Sequence, residues 1–182
     1  TEMFFLWRRR RRVRRVVPVP RHAYKDGEII YVWGAPLQLR LVTFIRDGVY
    51  QEGSSLILAS TKTLPVREKE ALLDAWFKQQ LAAKLPAVFA KAEKIVGRQA
   101  SSYYIRTMKT RWGTCNVKTA RVCLNARLAH LRPVFLDYIV IHELTHLWER
   151  GHGDQFKAKM DAFCPEWRNL RKQLREDTPK AF

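Results

Sequence analysis

The chain holds 182 residues and carries a formal net charge of +17, from 34 Lys and Arg against 17 Asp and Glu. A hydrophobic fraction of 47% with 12% aromatics excludes wholesale disorder. No apolar run approaches the roughly 20 residues needed to span a bilayer, so no transmembrane segment is expected.

The charge is concentrated at the start. Residues 1–25 contain Arg8, Arg9, Arg10, Arg11, Arg12, Arg14, Arg15, Arg21 and Lys25 against the single acid Glu2. That segment carries +8, leaving +9 for the other 157 residues. Both parts are basic, which favours polyanionic partners: DNA or other nucleic acid, an anionic membrane, or an acidic protein surface. A solubility device is the competing reading for the arm alone. Met3-Phe4-Phe5-Leu6-Trp7 is too short for a signal-peptide core and precedes its arginines, so a cytoplasmic location is expected. Val17-Pro18-Val19-Pro20 closes the arm in extended backbone. We read 1–25 as a basic arm and 26–182 as one domain, its part 26–63 rich in strands.

In chain order, Ile29-Ile30-Tyr31-Val32-Trp33 predicts a strand and Gly34-Ala35-Pro36 a turn. Leu37, Leu39, Leu41 and Ile45 then recur at period two. Asp47-Gly48 reads as a hairpin turn and residues 56–59 as a short strand. Residues 66 to about 96 predict a helix whose apolar face carries Leu72, Leu73, Trp76, Phe77, Leu81, Leu85, Val88, Phe89 and Ile95. Pro86 should kink or divide it, and Gly97 stops it. A second β region runs from 103 to about 127, turning near Lys118-Thr119. Pro133 opens a strongly apolar, buried helix ended by Gly151. Its apolar set includes Val134 and Trp148. Two short helices follow, 154–163 with Asp154 as N-cap and 166 to about 175, separated by Pro165. Cys115, Cys123 and Cys164 are odd in number and lack a CxxC pair, so reduced thiols are expected rather than a disulfide framework.

His142-Glu143-Leu144-Thr145-His146 lies on the apolar helix. Residues four apart sit about 40° apart around a helix axis, so both imidazoles emerge side by side and can share a metal. Glu143, about 100° round from His142, stands beside the open position rather than on the metal. Two neutral imidazoles suit zinc, and the carboxylate can take a proton from metal-bound water. His152, just past Gly151, is the candidate third ligand. The competing reading is ordinary histidines in a buried helix. Against it, three of the chain's five histidines fall within eleven residues. His22 and His130 are read as surface or satisfied core side chains. The ten-residue offset of His152 matches the metzincin pattern HExxHxxGxxH, but Glu149 stands where that pattern has glycine, so the chain is not read as a metzincin. Met160 is read as core, and Asp137, Asp161 and Glu166 are candidate partners for the outer ring nitrogens.

Met108-Lys109-Thr110-Arg111-Trp112-Gly113-Thr114-Cys115 and Leu124-Asn125-Ala126-Arg127-Leu128 lead into residues 137–146. With Gly151-His152, Phe156, Pro165-Glu166-Trp167 and Arg171, this region resembles the YgjP-like zinc metallopeptidases, relatives of the SprT-like proteases. The likeness is closest over 104–178, and the Arg-rich arm is not part of it. It implies an α+β, zincin-like fold, with a small antiparallel sheet beside the active-site helix. It also implies one zinc ion per chain on His142, His146 and His152, with Glu143 as general base. Zincins commonly pair an edge strand with extended substrate, and residues 122–125 are the candidate here. Arg111 and Asn125 match characteristic family positions and are candidate substrate contacts, with a structural role as the competing reading.

The leading function is a zinc-dependent peptidase acting on protein or peptide. Arg168, Arg171, Lys172 and Arg175 share one helical face, which with the arm suggests substrates held at nucleic acid; a solvated helix face is the alternative. A zinc-dependent nucleotide triphosphate pyrophosphohydrolase is a second class, disfavoured by the absence of a phosphate-cradling glycine loop. A nucleic-acid-binding protein with structural zinc is a third, disfavoured by Glu143, since a closed site needs no base.

Overall fold

The computed structural model describes residues 22–181, with side chains to residue 178. The expected contacts of Arg8, Arg9, Arg10, Arg11, Arg12, Arg14 and Arg15 lie outside the described residues. His22 and Tyr24 already belong to the folded unit: His22 Nδ1 meets Glu28 at 2.6 Å, and the Tyr24 carbonyl accepts from Lys69 Nζ at 3.0 Å. The folded unit thus includes residues assigned by sequence to the arm.

Alternating side chains build the first sheet from β1 (Ile29–Val32), β2 (Ala35–Thr43), β3 (Gly48–Glu52) and β4 (Ser55–Ser60), ordered β1-β2-β4-β3. Leu37 and Leu39 of β2 and Leu56 and Leu58 of β4 face the core. The first turn is Trp33-Gly34, both at positive φ (50° and 82°), the geometry a two-residue hairpin needs. Ala35 and Pro36, expected in the turn, lie in β2 instead. Pro36 precedes the point where β4 joins, at Gln38 opposite Ser55, so its missing N–H breaks no bond on that side.

Asp47-Gly48 makes no hairpin between neighbours. β2 and β4 run parallel, and β3 adds antiparallel on the far side of β4, so residues 44–47 form a crossover. Asp47 Oδ1 accepts from the Thr61 N–H at 2.8 Å, tying that crossover to the end of β4. The hairpin of this region lies one strand later, at Gly53 and Ser54.

Helix α1 (Val66–Val96) ends at Gly97, whose φ of 68° and N–H bond to Glu93 O close it as predicted. Pro86 does not divide it: the helix continues past the one lost N–H, with Leu85 and Phe89 fully buried on either side. The buried stripe ends on Ala92 and Val96, while Ile95 is 40% exposed.

The second sheet contains β5 (Ser102–Arg106), β6 (Gly113–Asn116) and β7 (Arg121–Asn125), ordered β5-β7-β6. β5 is parallel to β7 and β6 antiparallel, so the sheet is mixed. This placement corrects the expected substrate edge. β7, with Val122 and Leu124 at 0% exposure, is the central strand and both its sides are paired. β6 is the edge. Asn116 Oδ1 takes the N–H groups of Lys118 and Thr119 and shapes the β6–β7 turn.

A 3-10 segment, Ala126–His130, follows β7; its carbonyls at Ala129 and His130 receive the Trp33 and Gly34 N–H groups of the first hairpin. Then come α2 (Pro133–Thr145), α3 (Asp154–Phe163) and α4 (Trp167–Ala181), the last ending about six residues beyond the expected position. Gly153, not Asp154, holds the N-cap of α3; the Asp154 carboxylate instead pairs with Lys157 at 2.8 Å. Val134 and Trp148 of the predicted apolar set are 38% and 41% exposed. One continuous core joins both sheets to α1, α2, α3 and α4. The fold is α+β. Among the described residues no helix is long and apolar enough to cross a membrane, and all three cysteines are free.

Candidate metal centre

Helix α2 is apolar on nearly every side, with Phe135, Leu136, Val140 and Leu144 at or below 1% exposure. Packing therefore holds its last turn rigid. The helix stops at Thr145, well before Gly151. Thr145 Oγ1 turns back to Ile141 O at 2.7 Å, and the next bonds are short-range: Leu147 N to Leu144 O and Trp148 N to Thr145 O. Trp148 pins this turn, donating to Val96 O at 3.0 Å while Arg98 and Lys159 lie over its ring.

The tightened turn brings Glu149 O to 3.0 Å from His146 Nδ1. A carbonyl only accepts, so Nδ1 carries the proton and Nε2 keeps its lone pair. The chain then reverses through residues 150–153 and returns His152 over α2. His152 Nε2 lies 3.1 Å from His142 Nε2, and the ligand atoms of His142, His146 and His152 all fall within 4.8 Å of one another. Two nitrogens sharing one tetrahedral zinc stand roughly 3.3–3.4 Å apart. Three converging imidazoles therefore fit a metal in their chemistry, and the His142–His152 pair is close to that spacing.

Burial disfavours the charged form of His142 and His152. It pushes the His142 imidazolium down to about 3, and His146, His152 and Arg171 act in the same direction. His152 is lowered by the same causes, burial first. His142 Nδ1 is buried without a partner. Two of the three acids expected to support the ligands are engaged elsewhere, Asp137 with Lys91 and Asp161 with Trp167 Nε1 and Arg168, and the third, Glu166, is exposed. A main-chain carbonyl takes that role at His146.

Glu143 is 6% exposed, and burial pushes its carboxyl up to about 8 while Arg111 pulls it back. Its side chain packs against β6 at Gly113, where a Cβ would lie 2.7 Å from Oε1. A glycine inside a strand marks close approach, and that signal was available.

Asn125 lies in the interior. At 2% exposure its amide donates to Met108 O and Arg111 O and accepts from Met108 N and Arg127 N, using both donors and two acceptor positions. It fastens residues 108–111, and with them Arg111, to the end of β7. The four basic residues of α4 are all exposed, but their neighbours differ. Arg168 is paired with Asp161, whereas Arg171 lies within electrostatic reach of Tyr138, His142 and His152. Arg175 also reaches Tyr138, and Lys172 lies on the outer surface.

Two solved structures resemble parts of the chain. The metallopeptidase zymogen of Pyrococcus abyssi abylysin shares 23% identity at a TM-score of 0.46, over 50% of this chain and 91% of its own. The zymogen of Methanocaldococcus jannaschii jannalysin shares 18% at 0.45, over 50% and 93%. Among curated protein sequences none matches. The profile described as YgjP-like, metallopeptidase domain, matches residues 5–177 and so takes in most of the basic arm that sequence comparison had set apart. With a match of that extent, the chain belongs to the YgjP-like metallopeptidases.

Proposed function

We propose that the protein is a zinc-dependent peptidase whose zinc is held by His142, His146 and His152 and whose general base is Glu143. The observation that carries this reading is the convergence of three imidazoles beside a buried carboxylate. A zinc ion held by these residues would supply acidification of water and polarisation of the scissile carbonyl. Glu143 would accept a proton from the attacking water and pass it to the leaving amine. Its low exposure excludes competing solvent, and Arg111 favours its ionised form. Glu149 O holds His146 in the tautomer that presents Nε2. β6, an edge strand that reaches Glu143 at Gly113, is the candidate to pair with extended substrate.

Arg111 and Arg171 flank the centre, and the whole chain carries +17. Substrates of acidic character, including proteins held at nucleic acid, are those this field attracts. Peptide cleavage should vanish with a chelator. Glu143→Gln should lower it by roughly 10²–10⁴-fold while zinc content stays at one per chain. A zinc-loaded protein that cleaves no peptide, with or without DNA, yet releases pyrophosphate from nucleotides would overturn the proposal.

A further inference from the structure

All three proposed ligands rest on one benzene ring. Phe156, 2% exposed in the first turn of α3, has its centroid 5.0 Å from the His142 ring, 4.7 Å from His146 and 4.8 Å from His152. It stacks nearly parallel to His146 (29°) and meets His142 and His152 edge to face (71° and 68°). Both arrangements are those aromatic pairs prefer. The histidines cross one another at different angles: His146 stands at 87° to each of the others, while His142 and His152 are tilted by only 27°. A single flat side chain thus fits three differently oriented imidazoles.

We infer that Phe156 is the positioning residue of the metal centre, an aromatic floor that sets the rotation of all three ligand rings. This rests on the reading that His142, His146 and His152 hold the metal. The ring is needed because hydrogen bonds do not orient every ligand. His146 has Glu149 O, but His142 Nδ1 has no partner and is buried. The ring-to-ring contact supplies the orientation that a hydrogen bond supplies elsewhere. Phe156 lies four residues after His152, on the helix that starts directly beyond it. The arrival of the third ligand and the placement of the floor are therefore one event in folding.

Zinc affinity by chelator competition and the visible absorption of the cobalt form test this, using the full chain. Phe156→Leu and Phe156→Met keep apolar volume without a flat face. Both should lose about 10–100-fold in zinc affinity and change the cobalt spectrum. Leu39→Ala, in the first sheet far along the chain, should lower Tm but leave both readouts alone. Unchanged affinity and spectrum in the folded Phe156 variants would overturn the inference, as would an equal loss of affinity in Leu39→Ala. Failure of the wild type to take up one zinc per chain would instead count against the three-histidine site itself.

Discussion

Gly113 and Glu143 meet with no room between them: a Cβ on Gly113 would stand 2.7 Å from Glu143 Oε1 and 2.8 Å from its Cγ. The backbone of Gly113 is not among those at positive φ, so a larger residue could adopt it. Gly113→Ala should therefore fold and bind zinc, but displace the carboxylate. Misplacement by about 1 Å costs on the order of 10²-fold in rate, so kcat should fall by that order at unchanged zinc content. Activity within about twofold of wild type would show that Glu143 moves aside without consequence.

Arg111 acts on the same carboxylate from the solvent side. Burial raises the carboxyl and the guanidinium lowers it, so removing the charge leaves burial less opposed. Glu143 must be ionised to accept a proton, hence Arg111→Ala should move the acid limb of kcat/KM to higher pH. Arg111→Lys should restore part of the shift. Superimposable pH profiles would remove Arg111 from this role.

His130 makes acid stability a separate test. Its ring lies 3.7 Å from that of Phe77, Nδ1 meets Tyr31 O at 3.1 Å, and burial lowers it from 6.5 to about 3. Above pH 6.5 neither state carries the proton, and the ring gives no pH dependence. As pH falls below that value the unfolded chain takes up a proton that the folded chain refuses until about 3. Stability is lost over that window by up to about 1.4 kcal/mol per pH unit. His130→Gln should start less stable at neutral pH and decline less steeply, as read from Tm against pH; parallel slopes would contradict it.

Asn125 should behave as a structural residue. Asn125→Ala leaves Met108 and Arg111 groups unpaired and should cost about 2–4 kcal/mol in denaturant unfolding. Amide exchange should rise at residues 108–111 before the rest of the chain. A loss confined to KM, with stability intact, would return Asn125 to the substrate.

The clustering of His142, His146 and His152 was legible because their spacing is local: four residues on a helix, then a reversal after glycine. The apolar run around Phe135 and Val140 marked the helix without reference to the histidines. Sheet order was not legible. Residues 122–125 show the β-rich pattern of any buried strand, and only β5 arriving parallel on one side and β6 on the other makes them central. Asp47-Gly48 has hairpin composition, but pairing of β2 with β4 gave it another task. Asn125 and Phe156 each act through partners distant in sequence or crossing between elements, which periodicity does not encode. Arg171 looked like one member of a charged row, and its separation from Arg168 depends on how α4 packs over α2.

The early end of α2 has a consequence for sequence drift. The acceptor that fixes His146 is the main-chain oxygen of residue 149, so the orientation of this imidazole does not depend on the identity of that side chain. Substitution of Glu149 by most other residues leaves the acceptor in place. Vulnerability moves to whatever holds the turn closed: Thr145 beneath it and Trp148 clamped against Val96 O. Neutral variation can accumulate at position 149, while changes at its silent neighbours reach the centre without touching it.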